Sequence, residues 1–156
     1  MLMSRSFAFF SAMVVLSSSL PAVARDSDPE LRLTPNEIGE LQTLSGGTGT
    51  SGLTAVTTTV LYGDPSKPGL YSIELKVAPN TVIEAHTHKD TRTATVVSGM
   101  WYFGYGPKNE KGLVKMLPPG SFYTEPGGRA HFARTEADGA VVLITGFGPS
   151  DTVYIK

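Results

Sequence analysis

The sequence predicts an all-β domain, a sandwich or barrel built from short strands, and two observations support this. From Thr54 onward, runs rich in β-branched and aromatic residues alternate with turns rich in glycine and proline. No second segment of helical periodicity follows the one near residue 35. The chain contains no cysteine, so a buried core rather than disulfide bonds has to stabilise the domain.

The strand-like runs follow one another at short intervals along the chain. Turn residues such as Asp64-Pro65, Pro79-Asn80 and Ser98-Gly99 separate them. The runs cover residues 54–62, 70–78, 81–88, 93–97, 100–105, 115–118, 121–125, 131–135, 140–147 and 152–156. Many short strands with regular punctuation and one short helix are typical of a sandwich or a barrel.

Residues 1–24 have the pattern of a secretory signal peptide. Arg5 is followed by the apolar run "FAFFSAMVVLSSSLPAVA", which ends in an A-x-A cleavage site. The alternative is an uncleaved membrane anchor, but a spanning helix needs about 20 mainly apolar residues, and three serines interrupt this run. We expect a mature protein that begins at Arg25 and is periplasmic or secreted.

Residues 25–53 are predicted to form an N-terminal arm. The stretch from Leu33 to Leu44 predicts a short helix, with Thr34 as its cap and Glu37 completing a Thr-x-x-Glu capping box. The glycine-rich stretch from Ser45 to Gly52 is typical of a flexible linker. The arm is expected to pack across the domain or against a partner subunit.

Charge and composition exclude several classes of partner and chemistry. The net charge is −1 and there is no basic run, so neither nucleic acid nor an anionic membrane surface is an expected partner. After signal cleavage we expect no membrane association. The absence of cysteine excludes a thiol nucleophile and a thiolate metal ligand.

The chain has only three histidines, and their placement predicts a metal site. His86 and His88 lie two residues apart in a predicted strand, so alternation points both side chains to one face. His131 would join them from another strand. Three imidazoles on one side of a metal leave other positions open, as activation of a substrate or of oxygen requires.

The stretches around these histidines resemble the two sequence motifs of the cupin superfamily. The first motif, G-x5-H-x-H-x3 or x4-E-x6-G, is matched from Asn80 to Gly99, and the second, G-x5-P-x-G-x2-H-x3-N, from Gly120 to Thr135. Both turn glycines of the second motif, its proline and all three histidines agree. The departures are Asn80 for glycine, Arg92 for glutamate and Thr135 for asparagine.

The resemblance implies a cupin-type jelly-roll barrel over residues 54–156, preceded by the short helical arm. It implies one divalent transition metal on His86, His88 and His131, with iron expected first and zinc, nickel, manganese or copper as alternatives. The implied function is a small-molecule oxygenase of the dioxygenase type. Alternatives are a non-oxidative metal-dependent isomerase or hydrolase, and a non-catalytic metal-binding, ligand-binding or sensing module. A homodimer is compatible with the family.

Arg92 stands where the family places a carboxylate ligand, and a guanidinium cannot bind a cation because it stays protonated. Three interpretations remain open. Arg92 lies at the wall of a three-histidine site and holds an anionic substrate in a bidentate fork. Alternatively, Glu84, which shares strand parity with the histidines, supplies the missing carboxylate or pairs with Arg92. In the third interpretation, Arg92 reaches solvent and pairs with Asp90 or Glu136.

The catalytic candidates are therefore Arg92, Glu84 and Tyr123. Tyr123, or alternatively Tyr102, is a candidate to present a hydroxyl group to the metal-bound species. The aromatic residues of "WYFGY" and their neighbours also fit ordinary packing across strands, which is the more common role of alternating aromatics.

Overall fold

The computed structural model describes residues 28–44, 46–47 and 49–156, and they are mainly β structure. The predicted signal peptide, residues 1–24, and its cleavage site lie outside the described residues. No helix within the described part is long and apolar enough to cross a membrane. All strands and helices belong to the unit formed by residues 33–156.

Two antiparallel sheets form the domain, with strand orders β1-β2-β3-β10-β5-β8 and β11-β4-β9-β6-β7. This is a jelly roll of two open sheets, which confirms the predicted all-β class. The strands are β1 Thr43–Leu44, β2 Val56–Tyr62, β3 Gly69–Val77, β4 Val82–Thr87, β5 Arg92–Gly99, β6 Trp101–Tyr105, β7 Val114–Leu117, β8 Phe122–Glu125, β9 His131–Arg134, β10 Ala140–Gly148 and β11 Val153–Tyr154. A 3₁₀ turn, Lys111–Leu113, precedes β7.

The short helix α1, Pro35–Glu40, begins with the predicted capping box. The Thr34 side chain accepts from the backbone of Glu37, whose carboxylate accepts from the Thr34 backbone. The helix is shorter than predicted, because Leu41 is already extended and Thr43–Leu44 pairs with β2. None of the helix residues is buried, so no tertiary packing stabilises additional helical turns.

The core lies between the facing sides of the two sheets. Strands β5 and β10 alternate buried and exposed residues, as strands with one covered face do. The buried side of the six-stranded sheet meets aromatic residues of β6. The largest contributors are Tyr71, Ile73, Val96, Trp101, Phe103, Val142 and Ile144.

A β-bulge in β4 determines which side chains of that strand face the core. The register with β9 shifts between Ile83 and His86, and the extra residue lets Ala85 and His86 both be buried. Glu84 is exposed. The prediction that Glu84 shares the interior with the histidines is therefore wrong, because strict alternation does not continue through the bulge.

Two tight turns support the motif positions. Asn80, which stands where the cupin-like motif has glycine, has a φ of 53°, a left-handed backbone conformation that asparagine tolerates. Gly99 has a φ of 72°, and a Cβ atom there would lie 2.2 Å from the carbonyl oxygen of Gly139. The turn between β5 and β6 therefore requires glycine.

Candidate metal centre

The pairing of strands β4 and β9 brings the three histidines together. His86 lies on β4 directly opposite His131 on β9, and His88 follows the end of β4. All three are buried, and one ligand atom from each lies within 4.8 Å of the others. The ring centroids are separated by 4.4 to 5.0 Å. The predicted convergence of the imidazoles is thus present in the structure.

Backbone carbonyl groups fix the orientation of each imidazole. Nδ1 of His86 donates to the Glu84 oxygen over 2.7 Å, and Nδ1 of His131 donates to the Arg129 oxygen over 3.0 Å. Nδ1 of His88 donates to the oxygen of Asp151. A carbonyl oxygen only accepts, so each ring carries its proton on Nδ1 and directs the Nε2 lone pair towards the other rings.

The Nε2 atoms of the histidines are suited to bind a metal ion. Nε2 of His88 and of His131 is buried and has no hydrogen-bond partner among the described residues. Burial lowers the pKa of His86 to about 4 and that of His88 to about 3, and it also lowers the pKa of His131. All three rings are therefore neutral at pH 7, which is the form that binds a cation.

Arg92 forms a buried ion pair with Glu125. The two residues are Cα partners on the adjacent strands β5 and β8, and both side chains are 5% exposed. Nε of Arg92 donates to Oε2 of Glu125 over 2.7 Å, and Nη2 donates to the same oxygen. The interpretation in which Arg92 reaches solvent and pairs with Asp90 or Glu136 is wrong, because β8 provides a closer buried acid.

Glu125 lies against two of the histidines. Its Oε2 atom is 3.7 Å from Nε2 of His88 and 3.7 Å from Nε2 of His131. Burial is the largest single influence and would raise the pKa of Glu125. The charge of Arg92, the nearby His131 and His88 and the hydrogen bond from Arg92 together outweigh burial and hold this pKa at about 2. The site therefore contains an ionised carboxylate.

Asp90 is a buried carboxylate near the site with a different role. Its Oδ2 accepts from the Tyr71 hydroxyl over 2.6 Å, and its Oδ1 accepts from the Ser150 hydroxyl over 2.7 Å. A Cβ atom at Gly146 would lie 2.5 Å from the Tyr71 hydroxyl oxygen and 2.8 Å from Oδ2 of Asp90, so this hydrogen bond needs glycine beside it. Both oxygens of Asp90 are thus used in joining β3 to the segment after β10.

Tyr123 lies in the wall of the site, whereas Tyr102 does not. The Tyr123 hydroxyl accepts from Nε1 of Trp101 over 3.1 Å, and burial raises the pKa of Tyr123 well above its usual value. Tyr123 thus keeps its proton at neutral pH. The hydroxyl of Tyr102 donates to Glu136 at the surface.

The histidines border a small, partly enclosed cavity of about 30 Å³. One water needs roughly 10–15 Å³ of such volume, so the cavity holds about two. Residues 49–51, here called the strap, cover it. Tyr154 donates to the Ser51 oxygen over 2.8 Å, and Thr152 donates to the Thr50 oxygen over 3.0 Å. The remaining lining comes from Leu75, Ile83, His86, His88, Arg92, Trp101, Phe103, Tyr123, Glu125, His131, Ala133 and Thr152.

This two-sheet jelly roll with three converging histidines is the cupin fold. No protein-family model and no curated protein sequence matches the chain. Solved structures do. The polyketide cyclase RemF from Streptomyces resistomycificus is similar, with a TM-score of 0.63 and 18% identity over 82% of this chain and 88% of RemF.

Two further structures support the assignment of the fold. An RmlC-like cupin from Shewanella frigidimarina has a TM-score of 0.57 and 15% identity, covering 77% of this chain and 92% of its own. A protein of unknown function with a cupin-like fold from Ralstonia eutropha has a TM-score of 0.50 and 26% identity, covering 62% and 57% respectively.

Sequence reasoning found the histidines but missed Glu125 and the strap. Glu125 is an acid in the otherwise uncharged run "SFYTE", directly before the proline of the second motif. A buried arginine on a strand requires an acidic partner, and this requirement could have indicated Glu125. The contacts of the strap with Thr152 and Tyr154 span about a hundred residues, and no local pattern indicates them.

Proposed function

We propose that this protein is an exported, metal-binding cupin that acts as a small-molecule oxygenase of the dioxygenase type. His86, His88 and His131 would hold one divalent transition metal, with iron the first candidate. The observation that carries the proposal is the convergence of three neutral imidazoles whose buried Nε2 atoms at His88 and His131 lack protein partners. Such nitrogens are costly to bury unless a cation or water satisfies them.

A metal held by nitrogen donors with open positions can bring a substrate and dioxygen together and take part in electron transfer between them. The chain's own residues would supply the environment for that chemistry. Trp101, Phe103 and Tyr123 form an apolar wall that limits access of water. The cavity of about 30 Å³ restricts the reacting part of the substrate to a few atoms.

Arg92 would favour a substrate that carries an anionic group. A guanidinium has five N–H donors, and Glu125 accepts from two of its nitrogen atoms. Arg92 also borders the cavity, so its remaining donors are the groups that would meet a carboxylate or enolate. Tyr123, which keeps its proton, would donate a hydrogen bond rather than act as a base.

A second candidate is a module that holds a metal without turning over a substrate. The small cavity and the strap that covers it favour this candidate, because a bound metal stabilises the fold and a covered metal exchanges slowly. Localisation in the periplasm or outside the cell and assembly as a homodimer remain part of the proposal in either case.

Elemental analysis and oxygen uptake on the full chain, exported through its own N-terminal segment, test the proposal. We expect about one equivalent of iron, and oxygen consumption that depends on a small diketone or thiol carboxylate, such as acetylacetone or 3-mercaptopropionate. The variant His86→Ala/His131→Ala should lose both. One equivalent of zinc without oxygen uptake would favour the second candidate. Absence of metal after reconstitution would contradict both.

A further inference from the structure

We infer that Glu125 is the fourth protein ligand of the metal, so that the carboxylate missing from position 92 is supplied by the neighbouring strand. The inference rests on the proposed metal site. It extends that proposal, because the motif spacing alone places an arginine and no acid at the fourth position. Glu125 on β8 is the Cα partner of Arg92 on β5, so the two positions face the same cavity.

Among the described residues, the other nearby acids do not fit this role. Glu84 is exposed on the far side of the bulge in β4. Asp90 is buried, but each of its oxygens accepts a hydrogen bond from a hydroxyl group. Glu125 is the acid that borders the cavity together with the histidines.

The distances around Glu125 are close to those of a ligand set. Its Oε2 atom lies 3.7 Å from Nε2 of both His88 and His131. Two donors that each lie about 2.1 Å from one metal are separated by roughly 3.0 to 3.4 Å in octahedral or tetrahedral geometry. A movement of a few tenths of an ångström, roughly, would bring the oxygen to that separation.

The hydrogen-bond pattern shows why a cation belongs between these atoms. The proton on Nδ1 of each imidazole goes to a backbone carbonyl, so Nε2 of His88 and of His131 presents a lone pair. The ionised oxygen of Glu125 also presents lone pairs towards them. Acceptors that face each other in a buried site repel, and a metal ion converts that repulsion into three attractive contacts.

Arg92 acts on this ligand as a positioning residue. Its two donated hydrogen bonds fix the Glu125 carboxylate against β5, and its charge keeps the carboxylate ionised before metal arrives. The same charge repels the metal, so Arg92 both prepares the ligand and lowers its affinity. An alternative role for Glu125 is only to neutralise Arg92, and the experiment has to separate this role from ligation.

The test uses Zn²⁺ and Co²⁺ on the chelator-treated full chain. Zn²⁺ affinity is measured by competition with a chromophoric chelator, and the Co²⁺ complex is examined through its visible d–d absorption. The variants are Glu125→Gln, which removes the anion, and Arg92→Met/Glu125→Gln, which removes both charges and leaves no unpaired cation. Glu74→Gln is the control, because Glu74 is a buried acid that does not border the cavity.

If Glu125 is a ligand, Glu125→Gln and the double variant should both lose at least about 10-fold to 100-fold in Zn²⁺ affinity. Both should also change the intensity and position of the Co²⁺ bands, whereas Glu74→Gln should match the parent. If Glu125 only neutralises Arg92, the double variant regains affinity to within about threefold of the parent, with unchanged Co²⁺ bands. That result overturns this inference and leaves the three-histidine site intact. A parent protein that binds neither ion would refute the proposed function as well.

Discussion

The substitution Arg92→Met is expected to destabilise the metal-free protein strongly, because it leaves the Glu125 carboxylate buried without its partner. Both side chains are 5% exposed, and Arg92 Nε donates to Glu125 over 2.7 Å. Removal of one member of such a buried pair costs about 3–5 kcal/mol, whereas replacement of both by uncharged residues of similar size is often nearly neutral. We therefore expect Arg92→Met/Glu125→Gln to be more stable than Arg92→Met.

Urea unfolding of chelator-treated protein, followed by tryptophan fluorescence, measures these free energies. Trp101 is buried beside Tyr123 in the same core and reports on its unfolding. Arg134→Met is the matched control. Arg134 is partly exposed and lies 3.8 Å from Glu136, so its removal should cost less than about 1 kcal/mol.

The pH dependence provides an independent check of the same explanation. Burial without Arg92 would raise the pKa of Glu125 in the folded state above its unfolded value, so protonation at low pH should relieve the strain. The deficit of Arg92→Met relative to the parent should therefore shrink on acidification. A deficit below about 1 kcal/mol at pH 7, or one that does not change with pH, would refute the view that the pair is buried and charged.

Three further outcomes follow from the site. His88→Ala should bind less than a tenth of the metal that the parent binds at equal loading, roughly, by elemental analysis; equal metal contents would contradict its assignment as a ligand. In the metal-free protein, the pKa of His86 is about 4 in the folded state, whereas the ordinary pKa of histidine is 6.5. Protonation of His86 therefore favours the unfolded chain, and the free energy of unfolding should fall as the pH drops below about 6.5. The loss due to this residue should reach about 3 kcal/mol once the pH is below 4. Urea midpoints between pH 4 and 8 measure it, and a flat profile would contradict it. Tyr154→Phe removes the hydrogen bond to Ser51, so EDTA should extract metal several-fold faster, roughly, than from the parent; unchanged extraction would show that the strap does not limit access.

The histidine set could be predicted from sequence because it depends on local spacing. His86 and His88 are two residues apart, and His131 lies at a fixed distance after Pro126 in a turn-rich motif. Strand alternation predicts that His86 and His88 share a face, and the resemblance to the cupin motifs adds His131 to the set. The alternating strands of the fold were predictable for the same reason, and their bounds differ from the structure by one or two residues.

Glu84 and Glu125 show where this reasoning stops. A bulge adds one residue to β4, so the parity count that assigned Glu84 to the interior fails at Ala85. Glu125 reaches the site only through the register between β5 and β8, which pairs residues 33 positions apart. Register between strands is set by the whole sheet, and neither strand contains the information by itself.

The short strand β1 was missed for a related reason. Thr43 and Leu44 follow a well-capped helix, and their composition does not distinguish a helical continuation from an extended one. Pairing with Thr59 and Thr58 of β2 determines the outcome. The local preference for continuing the helix is weak, and pairing with β2 overrides it.

The carbonyl groups that hold the three imidazoles bear on how this centre could be redesigned. A main-chain carbonyl is present whatever the side chain, so substitutions at Glu84, Arg129 or Asp151 leave the acceptors of the Nδ1 protons in place. The orientation of the three imidazole rings should therefore tolerate mutation at these positions. The charge around them is not, because it depends on the side chains at positions 92 and 125. A library that varies only those two positions would sample metal preference on a constant histidine frame, which makes this chain a convenient scaffold for directed evolution.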